Sequence, residues 1–171
     1  FASKEKSGNK SLFISVIDLC IFSYRRDSSN NVKKGILVPL ILSLKFFRYE
    51  PDELSSSEYA AKGIYDIFYK DFMKGKCGMG LKADLVKFLC QMMEIFPGDL
   101  ISENKRLFKT CMGILQEQSI SHDPKPKIIA QTFLAFKYFL LPFSDSMDES
   151  ESNLLYQFIC KALEQINATR Y

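Results

Sequence analysis

Apolar residues recur three and four positions apart along nearly the whole chain, the spacing of one face of an α-helix. No segment alternates apolar and polar residues as a half-buried strand would. Leu12, Val16, Leu19 and Cys20 form a first stripe, and Ile36, Leu37, Leu40, Ile41, Leu44 and Phe47 a second. Ile64, Tyr65, Phe68 and Phe72 follow, then Leu85, Phe88, Leu89, Met92 and Phe96. The last three are Phe108, Cys111, Met112 and Leu115; Thr132, Leu134, Ala135, Tyr138 and Leu141; and Leu155, Phe158, Ile159, Ala162, Leu163 and Ile166. The expected class is all-α, with about seven helices.

Punctuation between the stripes repeats. Phe47, Phe96 and Phe143 each close an apolar segment, each precede an acidic turn, and stand 49 and 47 residues apart. Within the helices that follow, Ile64-Tyr65, Leu107-Phe108 and Leu155-Tyr156 fall at matching points. Two helices per period in the high forties is the upper edge of the HEAT/armadillo class, in which each pair buries its apolar stripe only by stacking on its neighbours. The expected architecture is a HEAT-like α-solenoid of antiparallel pairs across residues 1–171: a half unit at 1–31, then units at 32–76, 77–123 and 124–171. Ser55 with Glu58 and Ser146 with Glu149 have capping-box spacing. Pro126 suits a first helical turn, Pro97-Gly98 a stop, and Pro142 an end or kink.

Composition agrees with a packed domain: 47% of the residues are hydrophobic and 25% charged. Fifteen Phe and eight Tyr without a Trp suit broad helix–helix interfaces. Five cysteines lack any close pairing, and four of them sit in apolar helical pattern, which points to a reducing compartment, the nucleus or the cytosol. The apolar run from Ile36 to Leu44 is far short of a membrane span. The chain opens with Phe1 and a polar, Lys-rich stretch with no signal peptide, and so reads as a piece of a longer chain whose flanking repeats would cover both ends. Asn167-Ala168-Thr169 is then a chance sequon.

Catalytic chemistry has no foothold in the pattern. His122 is the single histidine, no CxxC is present, and no nucleophile stands near a base, so no catalytic residue, metal site, cofactor or small-molecule ligand is expected. Gly75-Lys76-Cys77-Gly78-Met79-Gly80-Leu81-Lys82 superficially resembles a phosphate loop, yet Leu81 stands where Lys and then Ser or Thr would have to follow the last Gly, and no strand precedes it. It reads as a linker. Asp145, Asp148, Glu149 and Glu151 lack the ladder of a calcium loop and suit a helix N-terminus.

Charge sorts by connection. Linkers between pairs are basic: Arg25, Arg26, Lys33 and Lys34 against Asp27; Lys70, Lys74, Lys76 and Lys82 against Asp71; Lys125 and Lys127 against Asp123. Turns within pairs are acidic, as in Glu50, Asp52, Glu53 and Glu58. In a stack of pairs the two kinds of connection lie on opposite edges. Arg25, Arg26, Lys33, Lys34, Lys74, Lys76, Lys82, Lys125 and Lys127 therefore make a candidate basic edge for DNA phosphates or an acidic protein.

Gly63-Ile64-Tyr65-Asp66-Ile67-Phe68-Tyr69, Ile95-Phe96-Pro97-Gly98-Asp99-Leu100-Ile101, Glu103-Asn104-Lys105-Arg106-Leu107-Phe108 and Phe158-Ile159-Cys160-Lys161-Ala162-Leu163, with the closing Arg170-Tyr171, carry a resemblance. From about Gly35 to Tyr171 the chain resembles the N-terminal helical-repeat region of the DNA-dependent protein kinase catalytic subunit family. The resemblance implies a non-catalytic scaffold segment of a very large nuclear Ser/Thr kinase, helping to cradle duplex DNA ends and the Ku heterodimer in non-homologous end joining. Kinase motifs (HRD, DFG) do not occur in the chain. A generic protein-interaction solenoid, such as a transport or assembly adaptor, is the alternative.

Overall fold

The computed structural model describes residues 2–27, 29–47, 61–74, 77–143 and 147–168. Its helices are α1 (Ala2–Arg26), α2 (Asn30–Phe47), α3 (Ala61–Met73), α4 (Met79–Ile95), the single turn α5 (Pro97–Leu100), α6 (Asn104–Ile120), α7 (Pro126–Phe143) and α8 (Glu149–Ala168), with a 3₁₀ turn at Ile101–Glu103. Among the described residues there is no strand. The chain is all-α, and its neighbouring antiparallel helices pack in pairs as in a helical solenoid. It divides into two compact units, Phe1–Ser102 and Glu103–Tyr171.

In the first unit α1 packs on α2, α3 on α4, and α2 on α4. Ile64, Tyr65, Phe68 and Phe72 recur on one face of α3 and are all buried, as their spacing requires. A row of rings ties three helices together. Tyr24 of α1 and Phe88 of α4 each lie 4.6 Å, centroid to centroid, from Phe68 of α3. Such tilted pairs contribute about 0.5–1.5 kcal/mol each beyond the area they bury. Helix α4 ends where Phe96 N–H bonds back to the Met92 carbonyl, and Pro97, lacking an N–H, opens the next turn. Helix α2 runs through Pro39, on an exposed face beside an equally exposed Gly35, so the Gly35 carbonyl that loses its helical partner meets solvent.

One sequence expectation fails on α1. Leu12 and Leu19 are exposed, whereas Ile17, Cys20, Ile21 and Tyr24 are buried. Leu12, Leu19 and Phe22 lie on the opposite side of the helix from that buried face. On α2 the expected Leu37, Leu40, Ile41 and Leu44 are buried, and Val38, Leu42 and Phe46 form a second apolar stripe pointing away from the core. These six residues are 59–64% exposed, so each of the two helices is apolar on two faces.

In the second unit α6 packs on α7, with Phe108 and Phe136 rings 5.8 Å apart. Phe108, Cys111, Met112 and Leu115 are buried as expected. The expected Thr132 and Ala135 of α7 are buried, but Leu134 is exposed and Phe136 takes the core position; the side chains of Tyr138 and Leu141 lie outside the described ones. Thr132 Oγ1 donates to the Ile128 carbonyl at 2.7 Å, which lets a hydroxyl sit in this core. Gln118 Oε1 accepts the Lys125 N–H at 2.8 Å and Pro126 opens α7, fixing the α6–α7 connection.

The cap of α8 lies two residues beyond Ser146–Glu149. Asp148 Oδ1 accepts the Glu151 N–H at 2.8 Å, while Glu151 Oε2 accepts the Asp148 N–H at 3.3 Å, a reciprocal capping box. Ser146, Ser55 and Glu58 lie outside the described residues.

Candidate nucleic-acid interface

Two of the three basic linkers meet in the first unit. The linker from α1 to α2 and the linker from α3 to α4 sit side by side because the N-terminal turns of α2 and α4 approach closely. A Cβ on Gly80 would stand 2.8 Å from Lys34 Nζ, and one on Gly78 would stand 3.0 Å from Asn30 Nδ2. Both nitrogens are the ends of side chains that can swing aside, so these distances mark how close the two helix starts lie. Part of the sequence read as a glycine-rich linker is helix, since α4 begins at Met79.

Asp71 sits where the linkers join. Tyr24 Oη donates to Asp71 Oδ2 at 2.8 Å, and Lys33 Nζ reaches the same oxygen at 2.9 Å. Lys74 Nζ lies 3.4 Å from Oδ1. Lys33 Nζ also stands 4.7 Å from the centroid of the Tyr24 ring, within cation–π range. The side chains of Lys33 and Asp71 are only 16% and 14% exposed, so this ion pair is a piece of the packing. Burial alone would push the Asp71 carboxyl up. Hydrogen bonds from Lys33 and Tyr24, and then the charge of Lys33, outweigh it and hold the carboxyl below its usual value. Burial first, then the hydrogen bond to Asp71, pushes the Tyr24 hydroxyl well above the usual tyrosine range.

Around this hub stand cations with no carboxylate partner among the described residues: Arg25, Lys34, Lys70 and Lys82. Arg26 lies over the Phe22 ring, 5.9 Å from its centroid. Cys77, half-buried in the second linker, has its thiol pushed up by burial and then by Asp71, against the opposing pull of Lys82, Lys33 and Lys34. It is held as a thiol, which argues against a reactive cysteine.

The nine basic residues expected at the edge thus separate. Arg25, Arg26, Lys33, Lys34, Lys74 and Lys82 belong to the first unit, with Lys33 and Lys74 committed to Asp71. Lys125 and Lys127 belong to the second unit; Lys125 pairs with Asp123, and Lys127 also has a partner. Lys76 lies outside the described residues, as do Glu50, Asp52, Glu53 and Glu58 of the first acidic turn. In the sequence Tyr24 stands at the end of an apolar stripe, and Asp71 is one acid among several cations. Its one local sign is Lys74 three residues on.

A model described as "DNA-PKcs, N-terminal" matches residues 1–171. The chain belongs to the DNA-PKcs N-terminal family. Curated relatives agree. The chain is 21% identical over 162 residues to the DNA-dependent protein kinase catalytic subunit of Dictyostelium discoideum, covering 92% of this chain and 4% of that protein. It is 26% identical over 161 residues to the Canis lupus familiaris protein of the same name, covering 89% of this chain and 4% of the relative. Against the Xenopus laevis protein the values are 23% over 177 residues, all of this chain and 4% of the relative. No solved structure matches. The chain spans about one twenty-fifth of the length of these relatives and contains no kinase domain.

Among the described residues no helix is long and apolar enough to cross a membrane, and no three His, Cys, Asp or Glu side chains are placed to hold a metal ion.

Proposed function

We propose that this DNA-PKcs N-terminal segment is a nuclear, non-catalytic scaffold that lays its basic linker edge along duplex DNA near an end. It would act beside the Ku heterodimer and the flanking repeats of a longer chain in non-homologous end joining of double-strand breaks. The carrying observation is the junction of two linkers around Asp71. It neutralises Lys33 and Lys74 in place and leaves Arg25, Lys34, Lys70 and Lys82 for an external anion. Phosphate neutralisation by such cations is sequence-independent and falls steeply with salt. The printed names of the relatives, DNA-dependent protein kinase catalytic subunit, favour the same ligand.

A test is duplex binding by the 171-residue chain and by a triple charge reversal, Arg25→Glu, Lys34→Glu and Lys70→Glu. These side chains are unpaired among the described residues, so the fold should survive the change. Loss of binding with unchanged helicity is expected. Retained affinity in the reversed variant would remove the edge from the account.

A generic protein-interaction solenoid is the second reading, and the twin apolar stripes Leu12, Leu19, Phe22 and Val38, Leu42, Phe46 favour it. It predicts partner binding that survives charge reversal and is lost when those stripes become polar.

A further inference from the structure

Beside the Asp71 hub, within the first unit, lies a cavity of about 230 Å³ lined by Tyr24, Arg25, Lys33, Lys70, Asp71 and Lys74. Four cations and one carboxylate surround it, so its walls carry an excess of positive charge. Two of the cations are already satisfied: Lys33 is nearly buried and pinned to Oδ2, and Lys74, 69% exposed, reaches Oδ1 only at 3.4 Å. Arg25 and Lys70 are exposed, and neither has a carboxylate partner among the described residues. Asp71 meanwhile accepts from one hydroxyl and two ammonium groups, the donor set that also suits a phosphate oxygen.

We propose that this cavity is a seat for one phosphate group, gripped by the Arg25 guanidinium and the Lys70 ammonium. Lys33 stays with Asp71 and holds the rear wall. The inference deepens the proposed DNA reading by naming where on the edge a phosphate is held, and it rests on that reading for the source of the phosphate. Chemistry supports it: a guanidinium from α1 and an ammonium from α3 both line the cavity, and together they can take two oxygens of one tetrahedral group.

The test is a titration of the 171-residue chain with inorganic phosphate, followed by ¹H–¹⁵N spectra. Saturable shifts concentrated at residues 24, 25, 70, 71 and 74 are expected. Arg25→Ala with Lys70→Ala should weaken this binding about tenfold or more. Lys87→Ala, which removes one charge on an exposed face of α4 outside the cavity lining, should leave it within about twofold. Shifts that spread over all basic residues without saturating, or equal weakening by Lys87→Ala, would overturn the seat.

Duplexes with 5′-phosphate and 5′-hydroxyl ends are run in parallel. A preference for the phosphorylated end that is lost in the double variant assigns the cavity to a terminal monoester. Equal affinities that fall together in the double variant assign it to a backbone phosphate. Duplex binding without saturable phosphate binding overturns this inference alone. Saturable phosphate binding without duplex binding overturns the DNA reading and leaves the seat for a free phosphate.

Discussion

Tyr24 Oη and Asp71 Oδ2 are joined by a 2.8 Å hydrogen bond across 47 residues of sequence. That separation equals one of the two spacings between Phe47, Phe96 and Phe143, 49 and 47 residues. One contact therefore ties the last turn of α1 to the last turn of α3, beside the point where two basic linkers meet. Asp71 also holds Lys33 and Lys74, so one carboxylate serves both linkers.

Replacing Asp71 by Asn should destabilise the first unit by about 1–3 kcal/mol, since Lys33 would remain nearly buried without its counter-charge. Urea unfolding followed by tyrosine fluorescence measures it. Tyr24→Phe with Asp71→Asn should cost less than the two single changes added together, because both remove one shared interaction.

The pH dependence has two limbs of opposite sign. Asp71 is depressed in the folded state, so its contribution is present above its usual value of 3.8 and is lost as pH falls through the lower folded value. Tyr24 is raised, so its contribution is present below the usual 10.0 and is lost as pH rises above it. Thermal midpoints across pH should show the acid limb flattened in Asp71→Asn and the alkaline limb flattened in Tyr24→Phe.

Phe68 lies between Tyr24 and Phe88, so Phe68→Ala removes both ring contacts and leaves a cavity at the junction of α1, α3 and α4. The expected cost is about 3–5 kcal/mol. Chemical denaturation of the purified variant checks it. A change below about 1 kcal/mol would mean that the ring row does not hold these helices together.

Leu19 and Leu42 belong to the outward stripes of α1 and α2. Changing both to Gln should shift stability by no more than about 0.5 kcal/mol each while lowering the tendency of the chain to associate. Light scattering against concentration, beside a melting curve, separates the two effects. A large loss of stability would place these side chains in the core.

Most of the fold was legible because most helices have one apolar face. Ile64, Tyr65, Phe68 and Phe72 lie on a single stripe, and burial follows from spacing alone. Helix α1 was misread because it has two. Leu12 and Leu19 follow the same period as Ile17, Ile21 and Tyr24, and periodicity cannot say which side meets the core. The α8 cap slipped because Ser146–Glu149 and Asp148–Glu151 share one spacing, and the choice between them depends on where the helix starts. The cationic linkers were visible as composition. Their assembly around Asp71 was not, because its partners Lys33 and Tyr24 lie 38 and 47 residues away and only packing brings them together.

The salt dependence of duplex binding counts the cations that sit on phosphates. With Arg25, Lys34, Lys70 and Lys82 on phosphates, the logarithm of the affinity should fall linearly with the logarithm of salt concentration, by about 0.9 per cation engaged. Arg25→Ala with Lys70→Ala should make the slope shallower by about two such steps, and Lys87→Ala should leave it unchanged. A slope equal in the wild-type chain and the double variant would mean that Arg25 and Lys70 do not touch the DNA.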